Sequence, residues 1–314
     1  MTNLVNYLPL LLLAMALPSF AGERVDESMV LGNVKNVSIE NLRGEVTVIG
    51  HNSDTVSVVG ELDDKAEGLT FEKSGSRIII KVEIPHHSRN GGWGIDGSDL
   101  TINIPKHARI SFKGVSSNIN ISHFTNGSEI QTVSGDIVAK DLKQQVELVT
   151  VSGNIDSKNL AGKLRLSSVS GDINDNNSAG RAYFKTVSGN LNSSSQAVEV
   201  SAKTVSGDIE FQLADIDEFI VSTVSGELES ELSLNDNGLL KMSSVSGDLE
   251  VSFKNDVQAS FNLKTNAGGD IVNRLTSEKA TRAKYGPSSK LSFETGNASS
   301  SVRASTVSGR ILVK

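Results

Sequence analysis

Thr132-Val133-Ser134-Gly135-Asp136-Ile137 returns in near copies whose valine is Val151, Val169, Val187 and Val205, 18 residues apart each time. The interval then lengthens to 19, 21 and 22 residues, reaching Val224, Val245 and a degenerate copy at Ala267. A weaker version, Val115-Ser-Ser-Asn-Ile119, lies 18 residues upstream, and a last copy closes the chain from Thr306 to Ile311. A period near 20 residues is the mark of a solenoid, in which each repeat buries its apolar side only against the repeats above and below.

Aligning the copies on their valine produces columns. Three positions before it stand Ile130, Leu148, Leu166, Phe184, Ala202, Val221 and Met242; four after it stand Ile119, Ile137, Ile155, Ile173, Leu191, Ile209, Leu228, Leu249, Ile271 and Ile311. Both columns and the valines themselves are almost entirely apolar, so all three are expected in the interior. Offsets of three and four cannot share one face of a straight strand. A corner or bulge near the Thr-Val step, with the following glycine allowing tight geometry, reconciles them. Each turn then supplies one strand to each of two or three parallel sheets. Ten copies at about 4.8 Å per turn predict a rod of roughly 45–50 Å.

Parallel stacking also lines up the residue before the last apolar column: Asp136, Asn154, Asp172, Asn190, Asp208, Glu227, Asp248 and Asp270. Neighbouring carboxylates at that spacing repel by about 1 kcal/mol in water. Asn at alternate early rungs halves the charge and permits amide ladders. The column therefore reads as structural, with weak cation binding as its alternative. Arg310 occupies the acid's place in the final copy, where it is expected either to end the column electrostatically or to be a plain exposed strand residue.

Outside the repeats the chain changes character. Leu8 to Leu17 is an apolar run interrupted by Pro9, and Ser19-Phe20-Ala21 puts small residues where a signal peptidase reads. Residues 1–21 are expected to be a secretory signal peptide, although no Lys or Arg precedes the run. Residues 22–110 read as an N-terminal strand meander capping the solenoid, with Val46–Ile49, Val56–Val59, Ile78–Ile84 and Leu100–Ile104 as strands. Pro85 and Pro105 each end one. The loop between them carries four glycines, the only tryptophan and two adjacent histidines. His86, His87, Trp93, Asp96 and Asp99 form a candidate ligand loop, a sugar platform or metal site, against the plainer reading of a flexible connection. The repeats proper are assigned to 111–272, and 273–314 to a basic excursion (Arg274, Lys279, Arg282, Lys284, Lys290) followed by a closing rung.

Composition removes whole classes of function. Among 314 residues of net charge −7, aromatics make up 4% and no basic patch interleaves with them, which argues against nucleic acid as a partner. The absence of cysteine removes disulfides, thiolate metal sites and a lipoprotein anchor together. No stretch after residue 21 is apolar enough to span a bilayer. A calcium-binding nonapeptide roll needs its glycine-aspartate unit every nine residues, twice as often as here. All five histidines precede the regular repeats, so no Ser/His/Asp arrangement is legible. Lys185, Lys203 and Lys241 interrupt any ice-binding Thr-x-Ser face. No catalytic residue, metal or cofactor is assigned.

The repeated Thr-Val-Ser-Gly-Asp-Ile, with Gly44-Glu-Val-Thr-Val-Ile49 and Leu100-Thr-Ile-Asn-Ile-Pro105 before it, resembles the adhesin-type DUF4097 family of β-strand-repeat envelope proteins across residues 35–314. That resemblance implies an all-β, right-handed single-stranded parallel β-helix of 18–22 residues per turn, exported or envelope-associated, and supplies no catalytic residues. The loop at 86–99 and the basic excursion depart from it. The function expected is a non-enzymatic envelope protein, an adhesin-like binding or scaffold module presenting flat faces to glycan, envelope polymer or another envelope protein. The competing class is a carbohydrate-active enzyme. Periplasm is the expected compartment, with cell surface or secretion second.

Overall fold

In the computed structural model, which describes residues 22–85 and 97–314, the repeated phrase is a corner between two sheets. On the first sheet lie β5 (Arg77–Glu83), β2 (Asn36–His51), β7 (Arg109–Ser122), β8 (Ser128–Gln131), β10 (Lys143–Val149) and β12 (Ala161–Ser167), in that order. The order continues through β13 (Ile173–Lys185), β14 (Leu191–Lys203), β15 (Ile209–Ser222), β16 (Leu228–Ser244), β22 (Ser300–Thr306) and β18 (Ala259–Thr265). The second sheet stacks β6 (Ser98–Pro105), β2, β7, β9 (Ile137–Lys140), β11 (Ile155–Lys158), β13, β14, β15, β16, β17 (Leu249–Phe253), β23 (Ile311–Val313) and β19 (Ile271–Asn273). Every neighbouring pair in both stacks is parallel. Twelve coils at about 4.8 Å give a β-helix roughly 50 Å long.

The expected columns hold with one correction. Ile130, Leu148, Leu166, Phe184, Ala202 and Met242 are buried, as are Ile119 through Leu249 four places after the valine. The valines are not. Val115, Val133, Val151, Val169, Val205, Val224, Val245 and Val307 are 37–48% exposed and form a ridge along the corner. The residue before each valine is the buried one: Thr132, Thr150, Ser168, Thr186, Thr204, Thr223, Ser244 and Thr306. Strand alternation runs inward at offsets −3 and −1, slips by one where valine and serine both face out, and resumes inward at the glycine and at +4. In the early coils the buried hydroxyl is satisfied by the coil before it, whereas Thr204 and Thr223 turn to their own coil and Thr186 and Ser244 have no partner among the described residues. Thr150 Oγ1 donates to the Gly135 carbonyl at 3.1 Å and accepts from the Gly153 N–H at 3.1 Å, and Ser168 repeats both bonds one coil on.

That packing explains the glycine. A Cβ on Gly153 would lie 1.9 Å from the Gly135 carbonyl oxygen, so the side chain is excluded by the neighbouring backbone rather than by dihedral strain. The second corner of each coil is different. Asp141, Asn159 and Asn177 take left-handed φ values of 54°, 56° and 58°, the non-glycine types that tolerate that region best. Their side chains form a ladder, Asn159 Nδ2 to Asp141 Oδ1 at 2.9 Å and Asn177 Nδ2 to Asn159 Oδ1 at 2.8 Å.

Chain order breaks at both ends. At one, β2 is laid down first, β5 and β6 then pack outside it, and β7 pairs with its other edge. At the other, β18 and β19 skip a place and the C-terminal β22 and β23 fill the gap between them and β16–β17. The last copy of the repeat is therefore the penultimate coil, and the degenerate Ala267 copy is the outermost. The boundary expected at residue 110 falls inside β7, within the stack. Antiparallel strands cover the outer coils: β3 (Thr55–Glu61) lies on β6, β1 (Arg24–Val30) on β3 and β4 (Gly68–Ser74) on β5. At the far end β21 (Ser289–Glu294) lies on β18, and β20 (Thr281–Arg282) on β21. Phe261 and Phe293 stack across that last pair at 4.3 Å between ring centres.

Candidate ligand-binding face

Outward residues of β9, β11, β13, β14 and β15 line a shallow cleft of about 580 Å³ on the second face. Each side chain gets there because residues alternate along a strand and coils repeat in register. One row reads Val138, Asp156, Asn174, Asn192, Glu210; its neighbour reads Lys140, Lys158, Asn176, Ser194, Gln212. The first row is tied together, with Asn174 Nδ2 donating to Asp156 Oδ1 at 2.9 Å and Asn192 Nδ2 to Asn174 Oδ1 at 3.1 Å. The cleft thus offers two ammonium groups at one end, amides and hydroxyls in the middle and a carboxylate at the other. That donor set suits a polar polymer lying along the rod.

Beneath the cleft sits a carboxyl group that sequence reading missed. Asp175 is 4% exposed. It accepts from Ser157 Oγ at 2.6 Å, Ser178 Oγ at 2.5 Å and Ser193 Oγ at 3.0 Å. Burial raises its pKa above the ordinary carboxylate value, and the three hydroxyls oppose that rise only in part. The signal was present, since Ala139, Ser157, Asp175, Ser193 and Phe211 form one inward column. An acid in an inward column stands out once the strand phase is known.

The residues singled out from sequence divide into two groups. His86, His87, Trp93 and Asp96 lie outside the described residues. Asp99 lies on β6 in register with Glu45, which is in turn in register with Asn118, so it extends the acidic column rather than joining a loop. The column itself is a hydrogen-bond ladder. Asp136 Oδ1 accepts the Asn154 N–H at 2.8 Å, and Asn154 Oδ1 accepts that of Asp172 at 2.9 Å. Asp172 then accepts from Asn190 at 2.8 Å, Asn190 from Asp208 at 3.0 Å and Asp208 from Glu227 at 2.9 Å. Each side chain caps an amide that its corner leaves without a sheet partner, which is why Asp and Asn interchange there. Asp248 meets the inserted final copy, accepting the Arg310 N–H at 2.8 Å and approaching its guanidinium at 3.3 Å. Asp270 pairs with Arg282 at 2.9 Å. Among the described residues no three His, Asp or Glu side chains converge closely enough to hold a metal ion.

The chain is similar to solved structures described as a "putative cell adhesion protein" from Clostridium sporogenes (10% identity, 93% of this chain and 99% of that one, TM-score 0.25) and a "putative adhesin" from Bacteroides fragilis (10%, 93% and 97%, 0.39). A "putative adhesin" from Parabacteroides merdae is similar at 9% identity over 93% and 97%, with a TM-score of 0.35. No curated protein matches. The family described as Toastrack DUF4097 matches residues 34–238, more than half of the chain. The chain belongs to the Toastrack DUF4097 family.

Proposed function

We propose that this protein is a non-enzymatic binding module of the cell envelope, and that the cleft over β9 to β15 is where it holds a glycan or envelope polymer. The observation carrying this reading is the succession of Lys140, Lys158, Asn174, Asn176, Asn192, Ser194 and Gln212 along a groove that crosses five coils. Repeating donors at about 4.8 Å match a repeating ligand better than a compact one. Export, expected from residues 1–21, brings such a surface to the envelope. No reactive pair of groups is needed for a binding role.

The alternative is a carbohydrate-active enzyme, favoured only by Asp175, a carboxyl of raised pKa under a cleft. Three serine hydroxyls already occupy its oxygens, and hydrolysis needs a second carboxylate across the bond. A glycan array and a cell-adhesion assay on the purified protein test the binding reading. Signal lost in a Lys158→Glu, Asn176→Ala double variant is the expected result, and no signal above background overturns it. Release of reducing ends from a polysaccharide panel, abolished by Asp175→Asn, would establish the enzyme instead. Recovery of the chain from the cytoplasm with residues 1–21 still attached would overturn export.

A further inference from the structure

The two faces that meet at the valine ridge carry opposite charge in the C-terminal half of the rod. On the first face Lys185, Lys203, Lys241 and Arg303 point outward, exposed, and make no ion pair among the described residues, with Glu218 of β15 an exposed acid in their midst. Lys185 and Lys203 are in register on adjacent coils, and so are Lys241 and Arg303. Arg165 and Arg181 extend the basic tract, though each already faces a glutamate, at 3.3 Å and 2.8 Å. On the second face Asp208, Glu210, Glu227, Glu229 and Glu231 fall on two adjacent coils, also exposed and also without a cationic partner among the described residues. The next coil adds Asp248 and Glu250, where Arg310 and Lys314 close the patch from the inserted strand. A monomer gains nothing from this separation, because like charges one coil apart repel.

We propose that copies of this protein associate side by side, the basic first face of one rod seated on the acidic second face of the next. The occupant of each face is a second copy because the charges are complementary and because both faces share one axial repeat. Every row on either face advances by the same coil spacing, so a row of cations meets a row of carboxylates in register without any adjustment. The contact joins two different patches, so it is heterologous and each bound copy leaves one free face at either side of the pair. Association therefore continues into open arrays. It uses residues outside the polymer cleft apart from Glu210, so cleft binding and array formation are separable.

Sedimentation velocity on the purified protein at about 20 mM and about 500 mM salt tests this, since exposed charges are strongly screened at the higher value. Expected are species larger than a dimer that grow with concentration at low salt and dissolve to monomer at high salt. Glu229→Lys with Glu231→Lys spoils one face, and Lys203→Glu with Lys241→Glu spoils the other. Each double variant alone should remain monomeric, with at least a tenfold weaker association. Mixed together, they should associate again and grow beyond dimers, because each retains the face the other lacks and the two reversed faces, Lys on one and Glu on the other, are complementary as well. Unchanged thermal melts confirm that the variants fold, and the salt response of the unaltered protein decides the matter without them. A monomer at every salt concentration, or assembly indifferent to both salt and charge reversal, overturns the proposal.

Discussion

The periodic middle of this β-helix and its two ends are held together by different means. From β8 to β15 each coil rests on the one before it in chain order, and Asp and Asn side chains stack in bonded rows. At the ends the chain leaves that order, contacts span tens of residues, and one-off interactions appear. The N-terminal corner shows this in Arg43, which is bonded to buried Asp63 and reaches Asp64 at 2.7 Å. Asp63 in turn accepts the Lys65 N–H at 2.8 Å. The middle has no comparable buried ion pair, and its single buried carboxyl is held by hydroxyls. Repetition satisfies most polar groups by handing each to the next coil, Thr186 Oγ1 being an exception. An end has no next coil and needs special partners.

The sharpest break in this comparison comes from removing an inserted strand rather than a covering one. Deleting residues 300–314 should open an empty slot between β16–β17 and β18–β19, removing the buried side chains of Val302, Ala304, Ile311 and Val313. At about 1.5–3 kcal/mol for each larger side chain, a loss of 5 kcal/mol or so follows. Deleting Arg24 to Val30, which buries only Val25 fully, should cost about 1–2 kcal/mol. Urea melts of the two truncations give the ratio; equal costs would show that the insertion is no more than an edge.

Glycine substitutions probe the middle against the cap next. Gly153→Ala forces a Cβ against the backbone of the coil before it and should cost about 2–3 kcal/mol. Gly75→Ala, at φ 59° with nothing within 4 Å, should cost about 1 kcal/mol from the left-handed backbone alone. Thermal unfolding of both variants checks the order.

The two buried aspartates should respond to pH in opposite directions. Burial pushes Asp63 up, but its bonds to Arg43 and Lys65 outweigh that and leave its pKa below the ordinary value. Its stabilisation is present above the unfolded value and is lost as pH falls through the folded one. Asp175 lies above the ordinary value, so the folded state holds its proton longer than the unfolded state does. Stability from this group therefore declines as pH rises through its folded value. Asp175→Asn should raise the Tm near neutrality by a few degrees and lose that advantage in acid, whereas Asp63→Asn should lower it near neutrality. Melting curves from pH 3 to 8, the span between about an unperturbed carboxylate and neutrality, would contradict this if both variants shifted alike.

The smallest effect belongs to the ladder. Asp172→Ala removes the acceptor of the Asn190 N–H, and a cost of about 1 kcal/mol is expected. Asp172→Asn should be nearly silent, because an amide oxygen accepts the same bond.

Much of the middle was legible because a period forces equivalent residues into equivalent places. The columns at −3 and +4 and the stacking of Asp136 to Asp270 follow from alignment of the chain with itself, while the strand ends at Pro85 and Pro105 follow from proline's missing donor. The valine ridge was misread because Thr and Val differ by one position at a corner, and hydropathy alone assigns the apolar one inward. Only coordinates show Gly135 offering its carbonyl to Thr150, which lets the hydroxyl be the buried partner. Asp175 escaped for a related reason: the inward phase of β13 had to be known before an acid there could be recognised as internal.

What the amino-acid order determined by itself is that coils exist, how long each is and which residues stack, since these depend on contacts one period apart. What tertiary structure alone decided is the order of the coils at each end and the opposition of a basic and an acidic face. Strand pairing is blind to chain order, because backbone donors and acceptors are the same in every coil. A segment such as 300–314 can therefore enter any open slot that its side chains fit, and only the assembled stack selects which.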